Sequence, residues 1–440
     1  MCRFFCIILL LLYGVELHAT SRSIAESVTL SLSQHPAVRA QLAQVAQASA
    51  DLEVVEAEFL PQIRLTAGIG REDSNNASTR ASGGGASEEL ERRESGITLR
   101  QMLFDGYQTH WQRQSSLSQK EAAQADLEDE LTRTALDAVA RHLELATAAQ
   151  VVELHFAHLQ RHQKIANDVD ARTRSGRDDR AKLSQVAARL ALSQANLSTA
   201  KEQLSHAQAS YREITGATIP HTLLWQDGLV KLPDSLEQFK TSVLAENPRL
   251  IGERARNEAA QDAWKAAKHH QYPKLFLESG ANWQDNVDGV KGLNRDAYAM
   301  LRVHYDLYQG GADKARQRRT RLQHHYQQQQ VEVIRRAVIM DAERAWSSYQ
   351  EQGRRYNHLQ NFVEAAEQTR SAYEKQFEIG QRRLIDLLDA ENEVLRARSE
   401  SLQARRQLYL TKYTLLALQN KLLDSLEVHG HLQLSIYAER

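Results

Sequence analysis

The chain has 440 residues, with 55 Lys plus Arg against 56 Asp plus Glu and a formal net charge of −1, so it has no general pull toward nucleic acid. Aromatics are 6%, and only 20 Gly and 6 Pro punctuate a sequence rich in Ala, Leu, Gln, Glu and Arg, which is a helical composition. Both cysteines, Cys2 and Cys6, lie in the first six residues, so the rest of the chain has no disulfide, cysteine nucleophile or cysteine metal ligand.

Residues 1–19 read as a secretory signal peptide: Arg3, an apolar run from Phe4 to Tyr13, and a small-residue end at Leu17-His18-Ala19. No later stretch reaches the ~20 apolar residues that a membrane helix needs. An exported chain can still span a membrane by strands.

The remainder is written twice. Gln34-His35-Pro36 and Leu60-Pro61 recur 212 residues later as Glu246-Asn247-Pro248 and Tyr272-Pro273. Leu103-Phe104-Asp105-Gly106 recurs at an offset of 204 as Leu307-Tyr308-Gln309-Gly310, and Gly176 as Gly380. An internal duplication of this size sets the architecture. The first repeat is placed at 20–216: a helix, strand 62–70, loop 71–95, strand 96–104, and long helices 107–175 and 178–215. A connector follows at 217–233. The second repeat is placed at 234–428: a helix, strand 274–284, loop 285–294, strand 295–308, and long helices 312–378 and 382–427, with a tail at 429–440. Each repeat opens on a capping box, Ser23 with Glu26 and Ser235 with Gln238.

The strands alternate. Ile63, Leu65, Ala67 and Ile69 oppose Gln62, Arg64, Thr66 and Gly68, and Ala297, Ala299, Leu301, Val303 and Tyr305 oppose Tyr298, Met300, Arg302 and His304. Period-two alternation over roughly ten residues is the pattern of a membrane strand, apolar toward lipid and polar toward a wet lumen. Four strands cannot close a barrel, and open edges cannot face lipid, so the strands must be pooled between chains. Between Gly106 and Gly176 there is neither Gly nor Pro, and sixty helical residues extend ~90 Å. Leu183, Leu190, Leu197, Leu204 and Tyr211 recur every seven residues, as do Leu388, Leu395, Leu402 and Tyr409, beside Leu387, Val394, Leu408 and Leu415. Such repeats specify knobs-into-holes packing, and two adjacent stripes predict a helix neighbour on each side. His155, His158 and His162 share one helical face that reads as solvated, and no metal or other cofactor is expected. No Ser/His/Asp spacing marks an active site, so the chain is not expected to be an enzyme.

Four segments carry a resemblance. They are Leu103–Gly106, Leu307 to Asp313 through Gly310-Gly311, Ser175-Gly176-Arg177-Asp178-Asp179-Arg180-Ala181-Lys182-Leu183, and Ile379-Gly380-Gln381-Arg382-Arg383-Leu384-Ile385-Asp386-Leu387-Leu388-Asp389-Ala390-Glu391-Asn392. Their order and duplication resemble the TolC family of outer-membrane channel-tunnels, and more narrowly its type I secretion branch. The resemblance implies a mainly α chain with a membrane β-barrel. It implies a homotrimer that pools four strands per chain into one barrel in outer-membrane lipid, with long paired helices forming an α-barrel in the periplasm. It also implies a periplasmic adaptor, an inner-membrane ABC transporter and a secreted protein cargo, with no nucleic acid. Pro61, Gly106, Pro273 and Gly310 mark the strand–helix junctions. The family's aperture positions map onto Phe377, Arg382, Asp386 and Asp389. Phe377 keeps a ring where the family has a hydrogen-bonding tyrosine. Where the family commonly has an aspartate that pairs with the arginine, this chain has Lys182, so Asp178 or Asp179 is the candidate partner for Arg382, and Lys182 is expected to face Asp386 of an adjacent helix pair or chain. A small-molecule efflux channel on the same fold is the second reading. An exported coiled-coil structural or adhesive protein without membrane strands is the third.

Overall fold

The computed structural model describes residues 21–81, 87–176, 179–220, 222–225 and 232–428. The expected signal peptide, the C-terminal tail and Asp178 lie outside the described residues. In chain order the elements are β1 (Ser21–Arg22), α1 (Ile24–Gln34), α2 (Pro36–Ala57), β2 (Gln62–Ser74), α3 (Ala77–Ala81), β3 (Glu88–Phe104), α4 (Gln108–Arg174) and α5 (Arg180–Thr215). Then come β4 (Thr222–Leu223), α6 (Leu236–Glu246), α7 (Pro248–Ala266), β5 (Lys274–Val287), β6 (Val290–His304), α8 (Ala312–Glu378), α9 (Leu384–Leu418) and α10 (Leu422–Ser425). Two compact units divide them. One takes Met1–Val38, Leu131–Ser242 and Asp341–Arg440, and the other Arg39–Glu130 and Val243–Met340. Each unit draws corresponding stretches from both copies, so compact units and sequence repeats partition the chain differently.

The second unit holds an antiparallel sheet in the order β2-β3-β5-β6. Register puts Ile63, Leu99, Ser279 and Ala299 in one cross-strand row and Leu65, Ile97, Ala281 and Ala297 in the next. That face is apolar and bare: Leu65 is 76% and Ile69 75% exposed. An uncovered apolar face of this extent marks an interaction surface. The opposite face is polar, with Arg100 3.5 Å from Glu278, Arg92 2.7 Å from Glu72, and Asn282 donating to Asp296 at 2.9 Å.

Two expected loops are corrected. Strand takes up both ends of the stretch 71–95: β2 runs on to Ser74 and β3 begins at Glu88, with α3 between them. Its charges meet diagonally across the ladder, Arg71 3.5 Å from Glu89 and Arg92 2.7 Å from Glu72, so the charged stretch is compatible with a hairpin. The stretch 285–294 shrinks to a two-residue turn between paired Val287 and Val290. Asp288 and Gly289 have φ of 55° and 74°, as a type I′ turn requires.

The first unit is helical. In α9 the buried positions are Leu387, Val394, Ser401, Leu408 and Leu415, flanked by Ala390, Ala397, Ala404 and Thr411. In α5 they include Val186, Ser193, Leu197, Ala200, Ala207 and Tyr211. Small residues alternate with leucines and let helices approach toward the short end of the 8–10 Å range. Leu395, Leu402 and Tyr409, the neighbouring stripe, are only half-buried.

The segment holding Arg22 and Ser27 is anchored through His142, which is fully buried. Its Nε2 lies 3.1 Å from the Leu224 carbonyl and so donates, and its Nδ1 lies 2.8 Å from the Ser27 hydroxyl. Ser27 is in turn 2.8 Å from the Tyr211 hydroxyl, which accepts from Arg22 at 3.2 Å. One chain of hydrogen bonds thus joins β1, α1, α4, α5 and the connector. Burial pushes the imidazole down to about 4. The unfolded chain takes up this proton near pH 6.5 and the folded chain only near 4. Stability is therefore complete above about pH 6.5 and falls as the pH drops toward 4. Chemical unfolding in detergent across that window is expected to show this slope, and His142→Gln to lower stability at pH 8 while flattening it.

Candidate functional site

Each of the two interhelical turns of the first unit follows its helix with a left-handed glycine. Helix α4 runs out into Gly176 (φ 74°) and α8 into Gly380 (φ 78°), both in the left-handed region that favours glycine. Asp179 caps α5, accepting from the Lys182 amide at 2.9 Å. Arg383 occupies the cap of α9. Behind the turns, Val169, Val186, Leu384 and Leu388 form a core that takes one side chain from each of α4 and α5 and two from α9. Phe377 packs against this core from α8, with the Arg172 guanidinium 4.8 Å from its ring centroid. A phenyl ring is suited to that place, where its contacts are apolar and cationic.

The structure gives each charge expected at the aperture a partner within the chain. Arg382 donates to Gln376 Oε1 at 3.0 Å, lies 3.9 Å over the Tyr373 ring, and stands 3.8 Å from Asp386. Asp386 is held by Arg383 at 2.9 Å, which draws its carboxyl below the usual range. Asp389 reaches across to Arg189 of α5 at 3.1 Å. Among the described residues no ion pair joins Arg382 to Asp179, the candidate partner. Arg382 is instead satisfied inside its own helix hairpin.

Above this core is a polar layer that the sequence pattern did not announce. Glu391 is 4% exposed, and its carboxylate lies 3.2 Å from Arg161 of α4 and 3.6 Å from Arg370 of α8. One buried charge thus ties three helices. The expectation of a solvated histidine face is overturned for His158 and His162, which are 6% and 2% exposed. His162 Nε2 is 2.9 Å from His158 Nε2, and His158 Nδ1 is 3.2 Å from the Ser193 hydroxyl. Burial pushes His158 down to about 4, so the pair is neutral and one ring donates to the other. Among the described residues no three His, Cys, Asp or Glu side chains gather as a metal site.

In the second unit the junctions differ between copies. Gly106 (φ 73°) is enclosed: a Cβ there would meet the His269 carbonyl oxygen at 2.8 Å and Tyr272 at 3.0 Å. Gly310 (φ 64°) has nothing within 4 Å. Pro61 and Pro273 directly precede β2 and β5, where a missing amide is tolerated.

A family model described as outer membrane efflux protein matches residues 28–217 and 241–421. Outer membrane efflux protein BepC of Brucella suis biovar 1 (strain 1330) is 26% identical over 322 residues, spanning 73% of this chain and 70% of that protein. Protein CyaE of Bordetella pertussis is 24% identical over 334 residues, spanning 73% of this chain and 66% of that one. The crystal structure of the Campylobacter jejuni CmeC outer membrane channel superposes with a TM-score of 0.77 at 15% identity, covering 94% of this chain and 89% of that one.

Gly106→Ala is expected to destabilise by about 1–3 kcal/mol through left-handed strain and a backbone clash. Gly310→Ala, carrying the strain alone, should cost about 1–2 kcal/mol. Thermal dissociation of the two purified variants ranks them.

Proposed function

Because the chain belongs to the outer membrane efflux protein family, we propose that it is the outer-membrane channel of a type I secretion system, a passive conduit for a secreted protein. What carries the reading is one chain that joins an open sheet, apolar on its bare face, to long helix hairpins ending in two similar turns. The sheet needs further strands before its edges tolerate lipid, and a homotrimer supplies them. The hairpins then line a passage through the periplasm, where an adaptor and an inner-membrane ABC transporter supply cargo and energy. The turn motifs around Gly176 and Gly380 favour the secretion branch. The exported structural-protein reading required a chain without such a sheet and is set aside. Small-molecule efflux is the second reading, favoured by the description of the Brucella relative as an efflux protein.

At the turns, Asp386 and Asp389 repeat around the symmetry axis as a ring of carboxylates, each steadied by an arginine of its own chain. In this reading Lys182 would face the ring from an adjacent helix pair or chain. Carboxylate rings attract cations. Removing both with Asp386→Ala/Asp389→Ala should weaken block by a trivalent cation added from the turn side in planar-bilayer recordings; unchanged block contradicts the ring.

Deleting the gene tests the cargo. Loss of a protein from the culture medium, with drug accumulation unaltered, is the expected result. Raised drug accumulation with an unchanged medium would replace secretion by efflux.

A further inference from the structure

The first turns of α8 carry a concentration of positive charge that no fold requirement explains. Lys314, Arg316, Arg318, Arg319 and Arg321 fall within eight residues, and no Asp or Glu follows until Glu332. All five are exposed or half-exposed. Arg316 stabilises the passage from strand to helix, because it lies 3.1 Å from Asp313 and donates to Gln309, which donates to Asp306. The side chains of the other four make no hydrogen bond or ion pair among the described residues. Lys314, Arg318 and Arg321 are spaced i, i+4, i+7, so they form one stripe along the helix, continued by His325.

The duplication provides an internal control. The corresponding residues of the first copy, 204 positions earlier, are His110, Gln112, Gln114, Ser115 and Leu117. They start an equally long helix after an equivalent strand with no Lys or Arg at these positions. Starting the helix therefore does not need the charge. A cation in the first turn also opposes the helix macrodipole, so the choice runs against local stability.

Position supplies the partner. The stripe begins ten residues after β6 ends at His304. The link between carries Leu307 and Tyr308, 87% and 84% exposed, and Tyr305, also exposed. Exposed aromatic and aliphatic side chains at the end of a membrane strand mark the level of the lipid headgroups. At ~1.5 Å per residue, Lys314 to Arg321 covers about 10 Å below that level, within about one Debye length.

We propose that the Lys314–Arg318–Arg321 stripe of α8 binds anionic phospholipid headgroups of the leaflet facing the periplasm. The link's aromatics would sit at the boundary between headgroups and hydrocarbon, and the three cations would reach the phosphates beneath. The inference rests on outer-membrane placement and is independent of whether the cargo is protein or drug.

The test uses the full-length protein reconstituted in vesicles of phosphatidylethanolamine alone or of phosphatidylethanolamine with phosphatidylglycerol, with retained lipid and thermal dissociation of the oligomer as readouts. The wild type should retain phosphatidylglycerol preferentially and dissociate at a higher temperature in its presence. K314Q/R318Q/R321Q should lose that preference, with phosphatidylglycerol bound roughly tenfold or more weakly. R318K/R321K, which keeps the charge, should retain it. Equal retention of both lipids by the wild type overturns the proposal. So does a K314Q/R318Q/R321Q oligomer weakened to the same degree in both vesicle types, which would make the stripe a contact between chains.

Discussion

A backbone amide has no water to turn to inside a lipid bilayer, and that constraint governs the rest of this chain. The four strands satisfy one another internally, yet β2 and β6 stand at the edges of an open sheet with its apolar face bare. Such a sheet is stable in lipid only when other chains continue it. The extended helices follow from the same arrangement, because they leave the strands at Gly106 and Gly310 and have no globular domain to enter. Helix α9, returning after the turn at Gly380, buries a stripe of leucine and small residues on one side and leaves Leu395, Leu402 and Tyr409 half-covered on another.

Much of this is legible in the sequence because it is periodic. Alternation from Ile63 to Ile69 places the lipid-facing side of β2, and heptads place the helices. Sequence and structure part where one residue type serves two purposes. Arg71, Glu72, Glu89 and Arg92 read as a solvated loop, although their opposite charges pair across the hairpin. Asp288-Gly289 is a strong hairpin signal, but it sits inside a longer polar stretch that reads as loop. The outcome of the Phe377 substitution, a ring stacked beneath Arg172, depends on contacts that no one-dimensional pattern contains.

The polar layer above the turns is hidden for a different reason. Glu391 lies three residues from Leu388 and four from Leu387, so it occupies the apolar face, and a lone carboxylate there is a readable signal of a buried ion pair. Its partners, Arg161 and Arg370, come from two other helices and follow only from the fold. His158 and His162 have the right spacing to be recognised as a pair, but whether that face meets water is a tertiary fact. Net charge is similarly silent about α8, since a total of −1 conceals five cations within three helical turns.

The assembly state of the detergent-extracted protein bears most directly on the whole account. Native mass spectrometry, alongside gel migration before and after heating, should give a particle of three chains that collapses to one on heating. A folded single chain that stays in solution without detergent would contradict it.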